Sequence, residues 1–184
     1  MKRLPLFGLL LTLTALTSCF NNSVYDEYKD WREDNEQWYA EQAALTDPER
    51  GGRYYTALIA AWDPSAQVLI HWYNDTAATR HNLKPLFSST VDVKYRGTIK
   101  DGTPFDSSYV RTTPADSIFR CRLNSNIIEG WAIAITHMHV GDSCRIIVPY
   151  MQAYGSSKVS DVVIPFSDLM FDIKLVDIHA YETH

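Results

Sequence analysis

The fold is decided by the stretch VDVKYRGTIKDGTPFDSS, which runs from Val91 to Ser108. From Val91 to Thr98, every second residue is apolar or glycine and the residues between are polar or charged. This two-residue period is typical of a strand with one buried face. The pair Asp101-Gly102 then has the composition of a tight turn. An irregular section is expected to begin at Phe105.

Further short strands and one helix are predicted around this stretch. Two apolar runs separated by the turn residues Asp63-Pro64-Ser65 indicate a hairpin, and a polar loop follows at 74–81. The predicted strands are 54–62, 68–73, 91–99, 118–123, 144–149 and 169–178, and the helix is 128–139, with Gly141 placed to stop it. The sequence therefore predicts an α+β fold, with a mostly antiparallel sheet and one short helix.

An acidic, amphipathic helix is predicted between Tyr25 and Leu45, before the sheet. It carries aromatic residues at Tyr28, Trp31, Trp38 and Tyr39. Such a stripe more often packs onto its own domain, and less often forms a dimer contact or a partner surface. The breaker residues 47–52 end the helix and begin a connector. We assign 19–52 to this extension and linker, and 53–184 to the main domain.

The first residues have the pattern of an export signal. Two basic residues precede an apolar run from Leu4 to Leu16, which is shorter than the roughly 20 residues needed to span a bilayer. The run ends in Leu16-Thr17-Ser18-Cys19, which resembles a bacterial lipobox. We expect residues 1–18 to be a signal peptide and Cys19 to be lipidated; the alternative is an ordinary signal peptide with a chance cysteine. The protein would then lie in the cell envelope, anchored by lipid to the outer membrane and facing the periplasm.

Composition excludes several classes of function. The chain has 184 residues, 46% of them hydrophobic, and a net charge of -5, so nucleic acid is not an expected partner. Its three cysteines show no zinc-binding spacing, and no metal or cofactor is expected. Cys121 and Cys144 lie in predicted strands, where either a disulfide or two buried free thiols would fit an oxidising compartment.

From Val91 onward the chain resembles the FKBP-type peptidyl-prolyl cis-trans isomerases. Seven segments match in the order of that family: 93–97 (VKYRG), 101–108 (DGTPFDSS), 127–131 (IIEGW), 138–142 (MHVGD), 153–155 (AYG), 164–165 (IP) and 169–175 (LMFDIKL). The resemblance implies a bent antiparallel sheet wrapped on one short helix, with a cleft between them. It implies catalytic residues Tyr95, Phe105, Asp106, Trp131, Tyr154 and Phe171, and substrate-binding residues Phe119, Ile127, Ile128 and Ile164.

The implied reaction needs no cofactor. Rotation about a peptide bond faces a barrier of roughly 18 to 20 kcal/mol, and a site that binds the twisted amide best would lower it. The expected partners are proline-containing unfolded or exported polypeptides, with macrolide inhibitors as further ligands and a homodimer through the N-terminal helix as a further contact. Loop 156–163 is shorter and more polar than its family counterpart, which puts activity and macrolide binding in question. The alternative hypotheses are that the protein is a non-catalytic peptide-binding chaperone or a scaffold module.

Overall fold

One antiparallel sheet organises the protein. In the computed structural model, which describes residues 23–125 and 127–181, the strands follow the order β1-β2-β6-β7-β3-β4, and β5 also pairs with β3. The strands are β1 (Thr56–Ile59), β2 (Gln67–Trp72), β3 (Thr90–Ile99), β4 (Pro104–Ser107), β5 (Phe119–Arg122), β6 (Ser143–Val148) and β7 (Leu169–Ala180). The helices are α1 (Val24–Glu27), α2 (Lys29–Ala44), α3 (Thr76–Thr79) and α4 (Glu129–Ile135). A single 3-10 turn spans Tyr150–Gln152.

The central strand β3 carries the main core on one face. It pairs with β7 along its whole length, and with β4 and β5 at its two ends. Val91, Val93 and Tyr95 are buried while the residues between them are only partly buried, as the alternation in the sequence predicts. Helix α4 lies against this face and is almost entirely buried. Together with the alternating residues of β2, β6 and β7, it forms the core.

Helix α2 covers the other face of the sheet. Because successive residues of a strand point to opposite faces, Leu69 and Ile147 turn away from α4. They form a second apolar cluster, against which Trp38 and Tyr39 of α2 pack. Two polar contacts join α2 to the segment before β7: the Trp31 indole N–H donates to Ser167 Oγ (3.2 Å), and the buried Asn35 side chain accepts the Asp168 N–H (2.9 Å). The aromatic stripe therefore packs onto its own domain.

Several predicted boundaries need correction. The N-terminal helix is interrupted at Tyr28, whose backbone (φ -108°, ψ 23°) separates α1 from α2. The central helix ends at Ile135 rather than near His139, because the amides of His137 and Met138 bond to carbonyls three residues back and the chain turns away. The first strand is shorter than predicted. The loop 74–81 contains the one-turn helix α3. Of the section expected to be irregular from Phe105, the first three residues belong to strand β4, and 108–118 is irregular as predicted.

The two cysteines of the main domain are free and buried. The Cys144 thiol lies 3.9 Å from the sulfur of Met138, inside the core. The structure thus has the two buried thiols that were one of the two alternatives. Across residues 23–125 and 127–181, none of the helices has the length and apolar character needed to cross a membrane.

Candidate active site

A cavity opens between α4 and the strands that curve over it. It contains about 450 Å³ of empty space, part of which is open to solvent. Its lining comes from six parts of the fold: β3, β4 and the segment after it, β5, the start of α4, the turn after the 3-10 helix, and β7. The lining residues are Tyr95, Phe105, Asp106, Arg111, Phe119, Ile127, Ile128, Trp131, Tyr154 and Phe171.

Trp131 forms the floor of this cavity. Its side chain, on the first turn of α4, is only 4% exposed. Three aromatic rings meet the indole nearly at right angles: Tyr95 at 4.8 Å, Phe171 at 5.3 Å and Phe119 at 6.0 Å between ring centroids. Edge-to-face contacts of this kind stabilise aromatic clusters beyond their buried area. The floor is therefore a closely packed aromatic cluster that is shielded from water.

Gly97 of β3 makes room for the aromatic wall. A Cβ atom at this position would lie 2.8 Å from the Phe171 ring and 2.9 Å from the Phe105 ring. Those two rings pack edge to face with their centroids 5.6 Å apart. The wall can therefore close over the backbone of β3 only where the strand has no side chain.

A polar edge lies beside the aromatic floor. The buried Tyr95 hydroxyl donates to Asp106 Oδ2 at 2.5 Å, and Asp106 Oδ1 accepts the Ser107 backbone N–H at 2.7 Å. Burial, together with the neighbouring carboxylate, raises the pKa of Tyr95 to about 12, and the positive charge of Arg111 opposes this rise. At neutral pH Tyr95 is thus a neutral donor that holds the Asp106 carboxylate at the edge of the cavity.

Two further residues frame the mouth. Ile128 is the N-cap of α4 with an extended backbone, and its carbonyl accepts the Trp131 N–H at 3.1 Å. Tyr154 is 38% exposed on the opposite side. Burial and the charge of Asp106 raise the pKa of the Tyr154 phenol, so that it is also a neutral hydroxyl.

Nine of the ten predicted site residues line the cavity. The exception is Ile164, which is half-buried in the segment before β7, where its carbonyl accepts the Ser167 hydroxyl at 2.8 Å. Among the described residues, none from 156 to 164 contributes to the lining. The roles of these residues in catalysis stay predictions. The predicted lipidation site, Cys19, lies outside the described residues.

Arg111 is a lining residue that was not predicted from the sequence. Its guanidinium lies 4.7 Å from the centroid of the Phe119 ring and brings a positive charge to the cavity. Arg111 belongs to the segment between β4 and β5, where no hydrophobic period indicates which side chains turn inward. Its only signal in the sequence is its position five residues after Asp106.

Comparison with known proteins identifies this arrangement. A profile of the FKBP-type peptidyl-prolyl cis-trans isomerases matches residues 83–176, which is just over half of the chain. The chain belongs to that family. FK506-binding protein 1 of Saccharomyces cerevisiae is 32% identical over 96 residues, which cover 52% of this chain and 81% of the yeast protein. The macrophage infectivity potentiator of Trypanosoma cruzi is 37% identical over 94 residues, or 51% of this chain, but the match spans only 45% of that relative.

Solved structures agree with the FKBP-like fold. A peptidyl-prolyl cis-trans isomerase from Pseudomonas syringae superposes with a TM-score of 0.62 at 26% sequence identity, over 82% of this chain and 95% of that one. The FKBP profile includes β3, α4 and most of β7, which carry Tyr95, Trp131 and Phe171. The aromatic cavity therefore lies within the part of the chain that the family shares.

Proposed function

We propose that this protein catalyses cis-trans isomerisation of X-Pro bonds in exported polypeptides, while anchored in the cell envelope through Cys19. The observation that carries the catalytic part is the cavity floored by Trp131 and walled by Tyr95, Phe105 and Phe171, in a chain of the FKBP-type family. The cavity suits a pyrrolidine ring, which is apolar and compact. The substrates are accordingly flexible, proline-containing segments.

Catalysis would follow from desolvation and shape. A planar amide has a polarised carbonyl that water stabilises, whereas the twisted amide loses resonance and needs less solvation. A dry aromatic cavity therefore binds the twisted form relatively better, which is the requirement for lowering the barrier. Asp106, held by Tyr95, places a fixed negative group beside the twisting bond. Isomerisation transfers no proton, so neither residue acts as a general acid.

The cellular part of the proposal is supported by the N-terminal sequence. A short apolar run after two basic residues leads into the lipobox-like segment that ends at Cys19. Export would bring the domain to newly translocated chains, in which slow X-Pro isomerisation limits folding. Outer-membrane attachment facing the periplasm is the location we propose. Incorporation of labelled palmitate that is lost in Cys19→Ser, but kept in the neighbouring control Asn22→Ser, would test the anchor.

Macrolide binding is a second part of the proposal. The yeast relative is named for binding FK506, and its similarity extends over most of its length. We expect the same class of macrolide to enter the cavity above Trp131 and to compete with peptide. Loop 156–163 does not line the cavity among the described residues, so its altered sequence would affect ligands that extend beyond the mouth.

Exchange spectroscopy tests the catalytic part directly. A short X-Phe-Pro peptide is observed by NMR with and without the full-length protein in a mild detergent, and the detergent alone is the blank. Exchange well above the spontaneous rate, falling in Asp106→Ala and Trp131→Phe, would support the proposal. Phenylalanine at position 131 keeps the core filled better than alanine, so a lost rate reports the site rather than unfolding.

The two rival readings predict different results. A peptide-binding chaperone would shift the peptide resonances without changing the exchange rate. A scaffold that dimerises through its N-terminal helix would lose its oligomeric state when the aromatic stripe is changed. The packing of Trp38 and Tyr39 against Leu69 and Ile147 favours the interpretation in which the helix covers its own domain.

A further inference from the structure

Two large aromatic side chains are exposed together beside the active cavity. Trp62 is 41% exposed in the connection between β1 and β2, and Phe87 is 45% exposed shortly before β3. Their ring centroids are 4.5 Å apart and their planes are inclined by 37°. Single exposed apolar residues are common on protein surfaces, but a paired aromatic patch is typical of an interaction site.

A second cavity lies at the foot of this pair. It contains about 510 Å³ of empty space, part of which is open to solvent, and its floor includes Leu123 and Ala132, a residue of α4. The floor and the two rings give the groove apolar surface for an aliphatic or aromatic side chain, beside the polar Asn124 and Ser125.

The orientation of Trp62 is fixed by a polar contact. Its indole N–H donates to Glu129 Oε1 at 2.9 Å, and Glu129 is the first residue of α4. The only polar atom of the indole is thereby satisfied, and the remaining ring surface is apolar. The Glu129 carboxylate at the rim also makes the groove unfavourable for an anionic group.

The groove adjoins the active cavity. Ile127 lines both of them, so the two meet at this side chain. An extended polypeptide advances about 3.3 to 3.6 Å per residue. A chain bound with its proline over Trp131 and running past Ile127 would therefore bring a residue a few positions away to the Trp62–Phe87 pair.

We propose that the Trp62–Phe87 groove is a second subsite, which binds a large apolar side chain of the same polypeptide whose proline occupies the active cavity. This inference rests on the proposed function. It narrows the substrate class to unfolded segments in which a leucine-like or aromatic residue lies a few positions from the proline. Folded proteins bury such side chains, so the subsite selects chains that have not yet folded.

The test compares matched peptides. Each contains one Phe-Pro bond in a serine-rich background and has either leucine or serine at a single position three, four or five residues from the proline, on either side. Exchange is measured by NMR with the full-length protein in mild detergent at low peptide concentration. We expect the best leucine peptide to exchange about five- to thirtyfold faster than its serine partner.

Variants of the two aromatic residues test whether the preference for leucine arises at the groove. Trp62→Ser and Phe87→Ser should remove the preference for leucine while leaving turnover of the serine peptides unchanged. Trp62→Phe loses the hydrogen bond to Glu129 but keeps a ring, and should retain most of the preference. Leu45→Ser, which alters a 43% exposed leucine just after α2, is the matched control and should have no effect.

Each possible result either supports or overturns the proposed subsite. Equal exchange of leucine and serine peptides by the wild type, both well above the spontaneous rate, would overturn the subsite and leave the isomerase proposal intact. A leucine preference that survives Trp62→Ser and Phe87→Ser would also overturn it. If neither peptide is catalysed, the proposed function fails. The affinity of the protein for the peptides then tests the subsite. Tighter binding of leucine peptides that is lost in Trp62→Ser supports the subsite, and equal affinity for leucine and serine peptides overturns it.

Discussion

The buried carboxyl of Asp168 predicts how the stability of this protein depends on pH. Asp168 is 1% exposed, and its Oδ1 accepts the Tyr150 N–H at 2.7 Å, whereas Oδ2 has no hydrogen-bond partner among the described residues. Glu36 and Tyr39 face it from α2, and Lys100 faces it from just beyond β3. Burial raises the pKa of Asp168 from 3.8 to about 7, because the Tyr150 N–H and Lys100 only partly offset the loss of water.

The direction in which stability changes with pH follows from proton binding. Between pH 4 and 7 the folded protein holds a proton on Asp168 that the unfolded chain has released, so folding becomes less favourable as the pH rises. The contribution is fully present below pH 4 and is lost as the pH passes through about 7. The pKa difference corresponds to roughly 4 kcal/mol at about 1.4 kcal/mol per pH unit, and this is an upper limit because buried charges relax.

The Asp168→Asn variant measures how much the ionisation of Asp168 lowers the stability of the fold. The amide keeps an oxygen to accept the Tyr150 N–H and carries no charge at any pH. We expect the variant to be more stable than the wild type by about 1 kcal/mol at pH 5, where the unfolded chain has already released its Asp168 proton, and by about 2 to 4 kcal/mol at pH 8. Urea unfolding followed by tryptophan fluorescence gives both values. Asp116→Asn, which neutralises an exposed carboxylate, is the control. A difference between variant and wild type that stays constant from pH 5 to pH 8 would refute the reasoning.

Three other sites give predictions about packing, catalysis and thiol reactivity. Gly130→Ala would place a Cβ 2.3 Å from Val148 Cγ1, so we expect a loss of about 1 to 3 kcal/mol in thermal unfolding, despite a helix-propensity gain of up to ~1 kcal/mol. Tyr95→Phe keeps the ring but loses the hydrogen bond to Asp106; peptide exchange should fall roughly fivefold with a retained melting temperature, and an unchanged rate would exclude a role for the bond. Burial raises the pKa of the Cys121 thiol to about 12, so this cysteine should resist a thiol reagent at pH 8 until the protein is denatured, as peptide mapping would show.

The local period of the sequence predicts much of the fold because each strand has one buried face. Val91, Val93 and Tyr95 alternate in the sequence and are buried in the structure. The extent of the helices is harder to predict, because it depends on tertiary contacts. After Ile135 the chain must turn so that Met138 enters the core and the Gly141 amide bonds to the Leu175 carbonyl. No property of residues 136–139 alone shows that requirement.

The site was predictable where a residue lies in an ordered element with a recognisable motif. Eight lining residues belong to such motifs and Phe119 lies in a predicted strand, whereas Arg111 lies in an irregular segment and its direction is set by the fold around it. The Trp62–Phe87 groove was not predictable for a related reason. Its two aromatic residues are 25 positions apart in the sequence, in connections that flank β2 and β3, and only the sheet brings them together.

The same aromatic side chains line the cavity and fill the core of the domain. This double role determines which variants are informative about catalysis. Tyr95, Trp131 and Phe171 are at most 4% exposed and belong to the main core, so truncating any of them costs packing energy of about 3 to 5 kcal/mol in addition to any loss of catalysis. Asp106 and Tyr154 lie at the rim, where their removal leaves the core filled. A fall in activity in those two variants at constant stability would therefore show that the polar edge contributes to catalysis, and a loss seen only in the core variants would exclude such a contribution.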